Sequence, residues 1–183
     1  MKKFLFLMLM SFSLNVIGQE KPLQCDSVIQ ANAKTAEQIY TAAKAWVATS
    51  FNSANDVIQM DDSQNGILIC KGNFKYSAPG GVMSAPMGGW VSYTLKIQVR
   101  EGRYKVTMGN FEHKAKPNAG YDWSLGLITD RERAKAKGAV VARQKKTWAD
   151  LKIKCKMEFM KMIVSISQAT AQNSDIIDTD DDW

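Results

Sequence analysis

The residue types that most often perform chemistry are scarce in this sequence, and their spacing predicts no catalytic centre. His113 is the only histidine among 183 residues, so a Ser-His-Asp or Cys-His arrangement would have to use it. No partner motif accompanies His113, and its polar neighbours predict an exposed histidine in a loop. Asp61 and Asp62 are adjacent carboxylates in a predicted turn, where such side chains usually accept hydrogen bonds from the turn backbone. Convergence of carboxylates from distant segments remains the alternative route to acid–base chemistry.

The three cysteines are typical of buried thiols rather than of a metal or redox site. Cys25, Cys70 and Cys155 include no C-x-x-C pair, and their spacing fits no zinc motif. Cys70 falls in an apolar strand and Cys155 on an apolar helix face, which are common positions for small core residues. An oxidising compartment would permit one disulfide among the three, and the sequence leaves its pairing open. We predict no catalytic residues, no metal and no cofactor.

One β-hairpin predicts a polar and basic surface. Strands over Trp90 to Arg100 and Arg103 to Glu112 flank a two-residue turn. Pairing across this turn collects the apolar side chains on one face, with Val99 beside Tyr104, Ile97 beside Val106 and Leu95 beside Met108. The other face carries the candidate binding residues Lys96, Arg100, Arg103 and Lys105, with Lys71 as a further member. An antiparallel sheet of this kind is covered on one side and wet on the other, and the alternative is that these residues are simply solvated.

Three aromatic residues form a second candidate site. Trp90, Tyr121 and Trp123 border a glycine- and proline-rich segment and a region of weak pattern, so they can surround one pocket. Aromatic rings suit the faces of sugars and apolar small ligands. The alternative is that these three rings fill the core.

Residues 1–18 have the layout of a secretory signal peptide. Met1-Lys2-Lys3 is positively charged, Phe4 to Phe12 is apolar, and Ser13 to Gly18 leads to a cleavage site with small or modest residues at Val16 and Gly18. The apolar run is too short for a permanent membrane helix. We expect cleavage between Gly18 and Gln19, which predicts export to the periplasm, the cell envelope or the medium.

After signal removal the protein is predicted to be soluble. No apolar stretch beyond residue 18 approaches the roughly 20 residues of a membrane helix. Lipid attachment at Cys25 is the alternative, but this attachment needs a small residue directly before the cysteine, and Gln24 stands there.

Charge is unevenly distributed along the chain. The net charge of +6 falls to +4 without Lys2 and Lys3, because 22 basic residues then face 18 acidic ones. Residues 131–161 hold eleven basic and three acidic residues, whereas residues 175–183 hold five aspartates and no base. Basic clusters can hold nucleic acid, but an exported protein rarely meets it, so we predict no nucleic-acid partner. A solvated basic helix face, complemented by the acidic tail, is the simpler interpretation.

The hydrophobic pattern predicts a strand, a helix and a first hairpin at the start of the domain. The strand covers Leu23 to Ala31, and the helix covers Ala36 to Phe51 after a capping box of Thr35 and Gln38. In the hairpin, strands over residues 56–61 and 66–74 are joined by a four-residue loop. That loop sets Met60 opposite Ile67 and Ile58 opposite Ile69, which keeps the apolar residues on one face.

The second half of the chain has weaker signals until its last helix. Ser77 to Gly89 contains four glycines and two prolines, and predicts a mobile loop without a helix. Between residues 113 and 146 we expect a turn at Pro117 to Gly120 and a basic helix over Thr129 to Arg143, broken near Gly138. A final helix begins at Thr147, with Asp150 completing its cap. Its predicted buried stripe is Leu151, Cys155, Phe159, Met162, Ile163 and Ile166.

These elements predict one α+β domain over residues 19–172. The order is strand, helix, four strands in two hairpins, then helix, which fits a single antiparallel sheet of about five strands with two helices on its apolar face. Residues 173–183 form an acidic tail that we expect to be disordered.

Several segments also resemble a known family. The matching motifs are Thr35-Ala-Glu-Gln-Ile-Tyr40 with Trp46, Ser53-Ala54, Val57-Ile58, the acidic turn from Asp61 to Gly66, Ile69-Cys-Lys71-Gly72, and Val99-Arg-Glu-Gly-Arg-Tyr104. The chain is similar in these motifs to the domain of unknown function 4468 family, described as having a TATA-binding-protein-like (TBP-like) fold. The likeness covers Cys25 to Glu112 well and the last helix loosely, whereas the glycine- and proline-rich loop and residues 113–146 depart from it.

The resemblance implies the same fold and an exported protein of a Gram-negative bacterium, but no activity. Function resides in sites rather than in folds, so the fold name does not imply DNA binding. We expect a non-catalytic domain that binds a protein or an anionic envelope component through the basic face. The alternatives are a small-ligand or glycan binder that uses the aromatic patch, and an enzyme with an unrecognised site.

Overall fold

A computed structural model describes residues 20–51, 53–117, 121–131 and 141–172. The predicted signal peptide, the turn at 118–120, most of the predicted basic helix and the acidic tail lie outside these ranges. The described elements, in chain order, are β1 (Gln24–Gln30), α1 (Ala36–Ser50), α2 (Ala54–Val57), β2 (Ile58–Asp62), β3 (Ile67–Tyr76), a 3-10 helix (Gly81–Met87), β4 (Gly89–Arg100), β5 (Arg103–Ala115), β6 (Gly126–Leu127) and α3 (Val141–Gln172).

The strands form one antiparallel sheet, as the sequence predicts. Its order is β1-β5-β4-β3-β2, and the short β6 pairs with β5 beyond the end of β1. The core side chains lie between one face of this sheet and the helices α1 and α3. The opposite face is not covered by a second layer of the described elements. This arrangement is the predicted α+β fold.

Helix α1 begins where the sequence predicts it to begin. The Thr35 side chain accepts a hydrogen bond from the backbone N–H of Gln38, and the Gln38 side chain accepts one from the backbone N–H of Thr35. This capping box satisfies two backbone donors that a helix start would otherwise leave unpaired. Trp46 is buried, as predicted, and its Nε1–H donates to Ser165 Oγ of α3 at 2.9 Å. That hydrogen bond ties the two long helices together.

The hairpin of β4 and β5 has the predicted register. Val99 lies opposite Tyr104, Ile97 opposite Val106, and Leu95 opposite Met108. All six of these side chains are buried. A two-residue turn leaves little freedom in pairing, and the alternation of apolar and polar residues selects the buried face.

A bulge in β5 changes which residues face the core. The register between β4 and β5 shifts between Ser92 and Thr94, and Asn110 adopts the left-handed conformation with a φ of 52°. Before this point Val106 and Met108 are buried, and after it Phe111 and His113 are buried. One extra residue on a bulged strand reverses the alternation of its side chains.

The predicted register of the first hairpin is wrong. Met60 lies opposite Ile69 rather than Ile67, and Ile58 lies opposite Cys70 rather than Ile69. Strand β2 extends to Asp62, whose carboxylate accepts hydrogen bonds from the backbone N–H and the side-chain amide of Asn65. These bonds move the turn to residues 63–66.

The buried face of β3 also differs from the prediction. Leu68 and Cys70 point into the core, whereas Ile67 and Ile69 are only partly buried on the other face. Gly66 fixes this arrangement: its φ is +65°, and a Cβ there would lie 2.8 Å from the carbonyl oxygen of Val99.

Two further predictions need correction. The segment over residues 77–89 contains a 3-10 helix, with Met87 buried and Val82 89% exposed. Helix α3 already includes Val141, so Thr147 is not its cap: the Thr147 hydroxyl is buried and donates to Met87 Sδ at 3.3 Å. Asp150 accepts a hydrogen bond from the Tyr76 hydroxyl at 2.8 Å instead of completing a cap.

The segment before α3 is not helical where it is described. Thr129 forms an isolated antiparallel bridge with Pro22, and Ile128 is buried between the backbone of Phe111 and that of Leu23. Residues 132–140, including the predicted break at Gly138, lie outside the described ranges. Because Thr129 lies in the bridge with Pro22, the predicted start of a basic helix at this residue is wrong.

Candidate functional site

The structure places the predicted basic residues on the uncovered face of the sheet, which we call the open face. Arg100 lies opposite Arg103 at the end of the β4–β5 hairpin, and Lys105 lies opposite Gln98 on the same face. Lys96 and Lys71 lie opposite threonines on neighbouring strands. Arg100 and Arg103 are exposed and Lys105 is partly buried.

Three of these residues line one shallow depression, which we call the arginine depression. Arg100, Arg103 and Lys105 surround a volume of about 280 Å³, together with Val28, Gln98 and Tyr104. Val28 is 52% exposed and supplies an apolar patch beside the three cations. Val28 lies on β1, which pairs with β5. The sequence did not predict its contribution, because the neighbour of β1 in the sheet is set by long-range packing.

Lys96 lines a second depression on the same face. Its volume is about 560 Å³, and Lys21, Gln24, Thr94 and Thr107 are among its other lining residues. Lys96 is therefore a neighbour of the arginine depression rather than a part of it.

The cations around the arginine depression are only partly neutralised. Lys105 forms an ion pair with Asp26 of β1, with 3.2 Å between Nζ and Oδ2. Within the described ranges, Arg100, Arg103 and Lys96 form no ion pair. The nearest acid along the chain, Glu101, accepts a hydrogen bond from the backbone N–H of Ala36 at 3.0 Å. The hairpin end therefore presents two guanidinium groups without a described carboxylate partner.

The predicted aromatic patch is only partly assembled. The rings of Tyr121 and Trp123 lie 6.4 Å apart at an interplanar angle of 38°, and Tyr121 is 72% exposed. Trp90 is half-exposed on the open face, opposite Lys75 and Lys114. No ring contact among the described residues joins Trp90 to the other two.

His113 is buried rather than exposed in a loop, which corrects the prediction. Its side chain is inaccessible to solvent, its Nδ1 accepts a hydrogen bond from the backbone N–H of Leu125 at 3.2 Å, and its ring packs edge-on against Tyr76. The bulge at Asn110 is the reason, because it turns the odd-numbered residues of β5 inwards. Burial lowers the pKa of His113, and the nearby backbone of Met87 opposes that shift.

A second polar cluster, which the sequence did not predict, joins α1 to β2. The Tyr40 hydroxyl donates to Asp61 Oδ1 at 2.5 Å, and Lys44 Nζ lies 2.7 Å from Asp61 Oδ2. The bonds from Lys44 and Tyr40 lower the pKa of Asp61, whereas burial and the Asp61 bond raise the pKa of Tyr40. Tyr40 and Lys44 also line a groove of about 860 Å³ beside the β2–β3 turn. Because Asp61 is bonded to both Tyr40 and Lys44, we interpret this cluster as a structural contact between α1 and β2.

The three cysteines are free thiols. Cys70 and Cys155 are fully buried, as predicted, and Cys25 is partly buried. Burial raises the pKa of Cys70 to about 11 and that of Cys155 to about 12. Burial also raises the pKa of Cys25. Thiols held in this way carry little thiolate at neutral pH, so they are poor nucleophiles.

No group of three or more histidine, cysteine, aspartate or glutamate side chains in the described ranges is placed to hold a metal ion. None of the described helices is long and apolar enough to cross a membrane.

An open antiparallel sheet with two long helices on one face places the protein in the α+β class. Residues 26–114 match the family described as "Domain of unknown function (DUF4468) with TBP-like fold". The match confirms the family that the sequence motifs indicate.

Two solved structures have a similar fold. A TBP-like protein from Parabacteroides distasonis ATCC 8503 has 10% sequence identity and a TM-score of 0.60, covering 82% of this chain and 94% of that one. A DUF4468 family protein from Bacteroides ovatus ATCC 8483 has 14% identity and a TM-score of 0.53, covering 79% and 86% respectively. At these identities the likeness shows the fold alone. No curated protein matches the sequence.

Proposed function

We propose that this protein is a non-catalytic binding domain of the cell envelope whose open face binds carboxylate or phosphate groups, carried by an acidic protein segment or another anionic component. The observation that supports this most is the pair of Arg100 and Arg103. They lie directly opposite each other and form no described ion pair. Like charges in directly opposed positions destabilise a strand pair slightly, and a bound anion would remove that cost.

The surroundings of the arginine pair suit an anion on an extended segment. Arginine binds carboxylate and phosphate through two parallel hydrogen bonds. Lys105 adds a cation that its pairing with Asp26 only partly neutralises, and Val28 adds apolar contact area. Because the depression is shallow and exposed, each contact contributes modestly, so we expect binding that weakens as salt concentration rises.

The variant Arg100→Ala/Arg103→Ala tests this proposal. We expect it to bind a fluorescent, non-helical peptide of alternating glutamate and glycine at least about fivefold more weakly than the parent protein, because two charge-assisted contacts are removed. Fluorescence anisotropy at low and physiological salt measures the affinity. Vesicles with and without an anionic lipid, tested in parallel, separate an acidic peptide from a lipid headgroup.

The matched control is Lys145→Ala/Lys146→Ala, which removes the same charge from exposed positions on α3. Equal weakening by both variants would mean that only net charge matters. Unchanged affinity in the arginine variant would overturn the proposal directly.

A second candidate function rests on Tyr121 and Trp123, whose adjacent rings suit the face of a sugar. In this alternative the domain binds a glycan or a small apolar ligand instead of an anion. Titration with a glycan panel would then change the tryptophan fluorescence of the parent protein and not that of Trp123→Ala. No change across the panel would rule this candidate out.

Export is part of the same proposal, and it rests on the charge and hydropathy pattern of residues 1–18. We expect the intact mass of the protein recovered from the envelope or medium of a Gram-negative host to correspond to a chain that begins at Gln19. A chain that retains Met1 in the cytoplasm would contradict export. A mass increased by a lipid on Cys25 would show an anchored protein instead.

A further inference from the structure

Helix α3 carries a row of exposed apolar side chains on the side turned away from the core. Ile153 is 57% exposed, Met157 45%, Met160 58% and Val164 52%. The buried side of the same turns carries Cys155, Phe159 and Ile166 in the core. We call the four exposed residues the outer stripe.

The spacing of the outer stripe is that of a helix–helix seam. The intervals between its members are four, three and four residues, which is the a/d pattern of a heptad repeat. A strict a/d row is narrower than the apolar face by which a surface helix joins a core. It is also narrower than the broad face, usually with Trp, Phe or Leu, by which a helix lies on a membrane. The geometry therefore favours another helix as the occupant.

Lysines flank the outer stripe at the positions that select a partner. With Ile153 at position d, Lys154 and Lys161 fall at e and Lys156 falls at g. The fourth flanking residue is Ile163, which is partly buried. Lys161 pairs with Glu158 of its own helix at 2.7 Å, so its charge is partly neutralised. Lys154 and Lys156 form no ion pair within the described ranges.

These flanks argue against a second copy of the same chain. In a parallel pair of α3 helices, g positions face e positions, and in an antiparallel pair e faces e and g faces g. In both arrangements lysine would face lysine, which disfavours pairing. A helix with acidic residues at e and g would meet complementary charge instead.

We infer that the outer stripe of α3 is a docking surface for an amphipathic helix of another protein, with apolar residues at a and d and acidic residues at e and g. This surface is separate from the open face, because α3 packs on the opposite side of the sheet. It gives the protein two independent binding surfaces.

The probe that tests this inference is a fluorescent four-heptad peptide with Leu at a and d and Glu at e and g, compared with a peptide that has Lys at e and g. The parent protein is expected to bind the acidic peptide at least about tenfold more tightly. The variant Ile153→Ser/Met160→Ser is expected to lose most of this affinity while keeping its circular dichroism and Tm, since both side chains are exposed. Lys154→Glu/Lys161→Glu is expected to reverse the preference between the two peptides.

The variant Arg100→Ala/Arg103→Ala separates this inference from the proposed function. If the acidic helix binds through α3, this variant keeps its affinity for the helical peptide and loses affinity only for the non-helical glutamate peptide. Loss with the arginine variant and no loss with Ile153→Ser/Met160→Ser would overturn the inference and leave the proposed function standing.

The other occupants of the outer stripe are outcomes of the same experiment. Sedimentation that shows a dimer of the parent protein, lost in Ile153→Ser/Met160→Ser, would overturn the inference in favour of a second copy. Binding to anionic vesicles that is lost in the same variant would overturn it in favour of a membrane surface.

Discussion

Replacing Trp148 with alanine is expected to lower the free energy of unfolding by about 3–5 kcal/mol. Trp148 is 3% exposed, belongs to the core, and donates its Nε1–H to the carbonyl oxygen of Arg131 at 3.1 Å. The substitution removes a large buried ring and leaves the ammonium of Lys152, 2.7 Å away, as the remaining described donor to that carbonyl. Urea denaturation followed by far-ultraviolet circular dichroism measures the change.

Trp90→Ala is the matched control for this prediction. Trp90 is 51% exposed on the open face, so its replacement should lower the free energy of unfolding by only about 1–2 kcal/mol, because about half of its surface is already in water. If the two alanine variants were equally stable, α3 would not pack through Trp148 as described.

Stability is expected to fall as the pH is lowered through the range just below 6.5, because of His113. Burial lowers its pKa in the folded protein, whereas in the unfolded chain the pKa returns to about 6.5. Below that pH the unfolded chain binds a proton that the folded protein does not, so the free energy of unfolding decreases. One such group contributes a slope of at most about 1.4 kcal/mol per pH unit. Urea denaturation at pH 8, 7, 6 and 5.5 measures this slope.

His113→Asn isolates the contribution of this residue. Asparagine offers an acceptor in place of Nδ1 for the N–H of Leu125 and has no group that titrates in this range. The variant is expected to be less stable at pH 8 but to lose less stability between pH 7 and 5.5. Because His113 is the only histidine of the sequence, the protein must carry no histidine tag. A parent protein with no slope in this range would contradict the burial of a neutral His113.

The features that the sequence predicted correctly depend on nearby residues. The capping box of Thr35 and Gln38 spans three residues, and a two-residue turn sets the register of the β4–β5 hairpin. In both cases short-range hydrogen bonding and the period of the apolar residues leave few alternatives. The family motifs fall within the same part of the chain, which is why fold class and family were both accessible from sequence.

The features that the sequence did not predict depend on tertiary contacts. The only local signal for the bulge at Asn110 is the pair Gly109-Asn110 within a strand, and the bulge decides that His113 is buried. The register of the first hairpin was missed because the side chain of Asp62 and the positive φ of Gly66 set the turn. In both places the apolar pattern was compatible with more than one pairing.

The candidate site was predicted in part for the same reason. Arg100, Arg103 and Lys105 share a face because they belong to one hairpin. Val28, which lines the depression, and Asp26, which pairs with Lys105, come from β1, and only the strand order brings them beside this hairpin. The outer stripe of α3 was not predicted because α3 has apolar residues on two sides. The sequence pattern was interpreted only for the side that packs on the sheet.

An NMR titration shows whether the open face binds anions at the arginine pair. The ¹⁵N-labelled protein is titrated with the non-helical glutamate–glycine peptide, and the backbone amide shifts are mapped on the structure. We expect the largest shifts in residues 98–105 and in the adjoining part of β1 around Val28, with smaller shifts at higher salt. Shifts confined to α3, or spread evenly over all basic surfaces, would contradict the claim that the open face is the binding site.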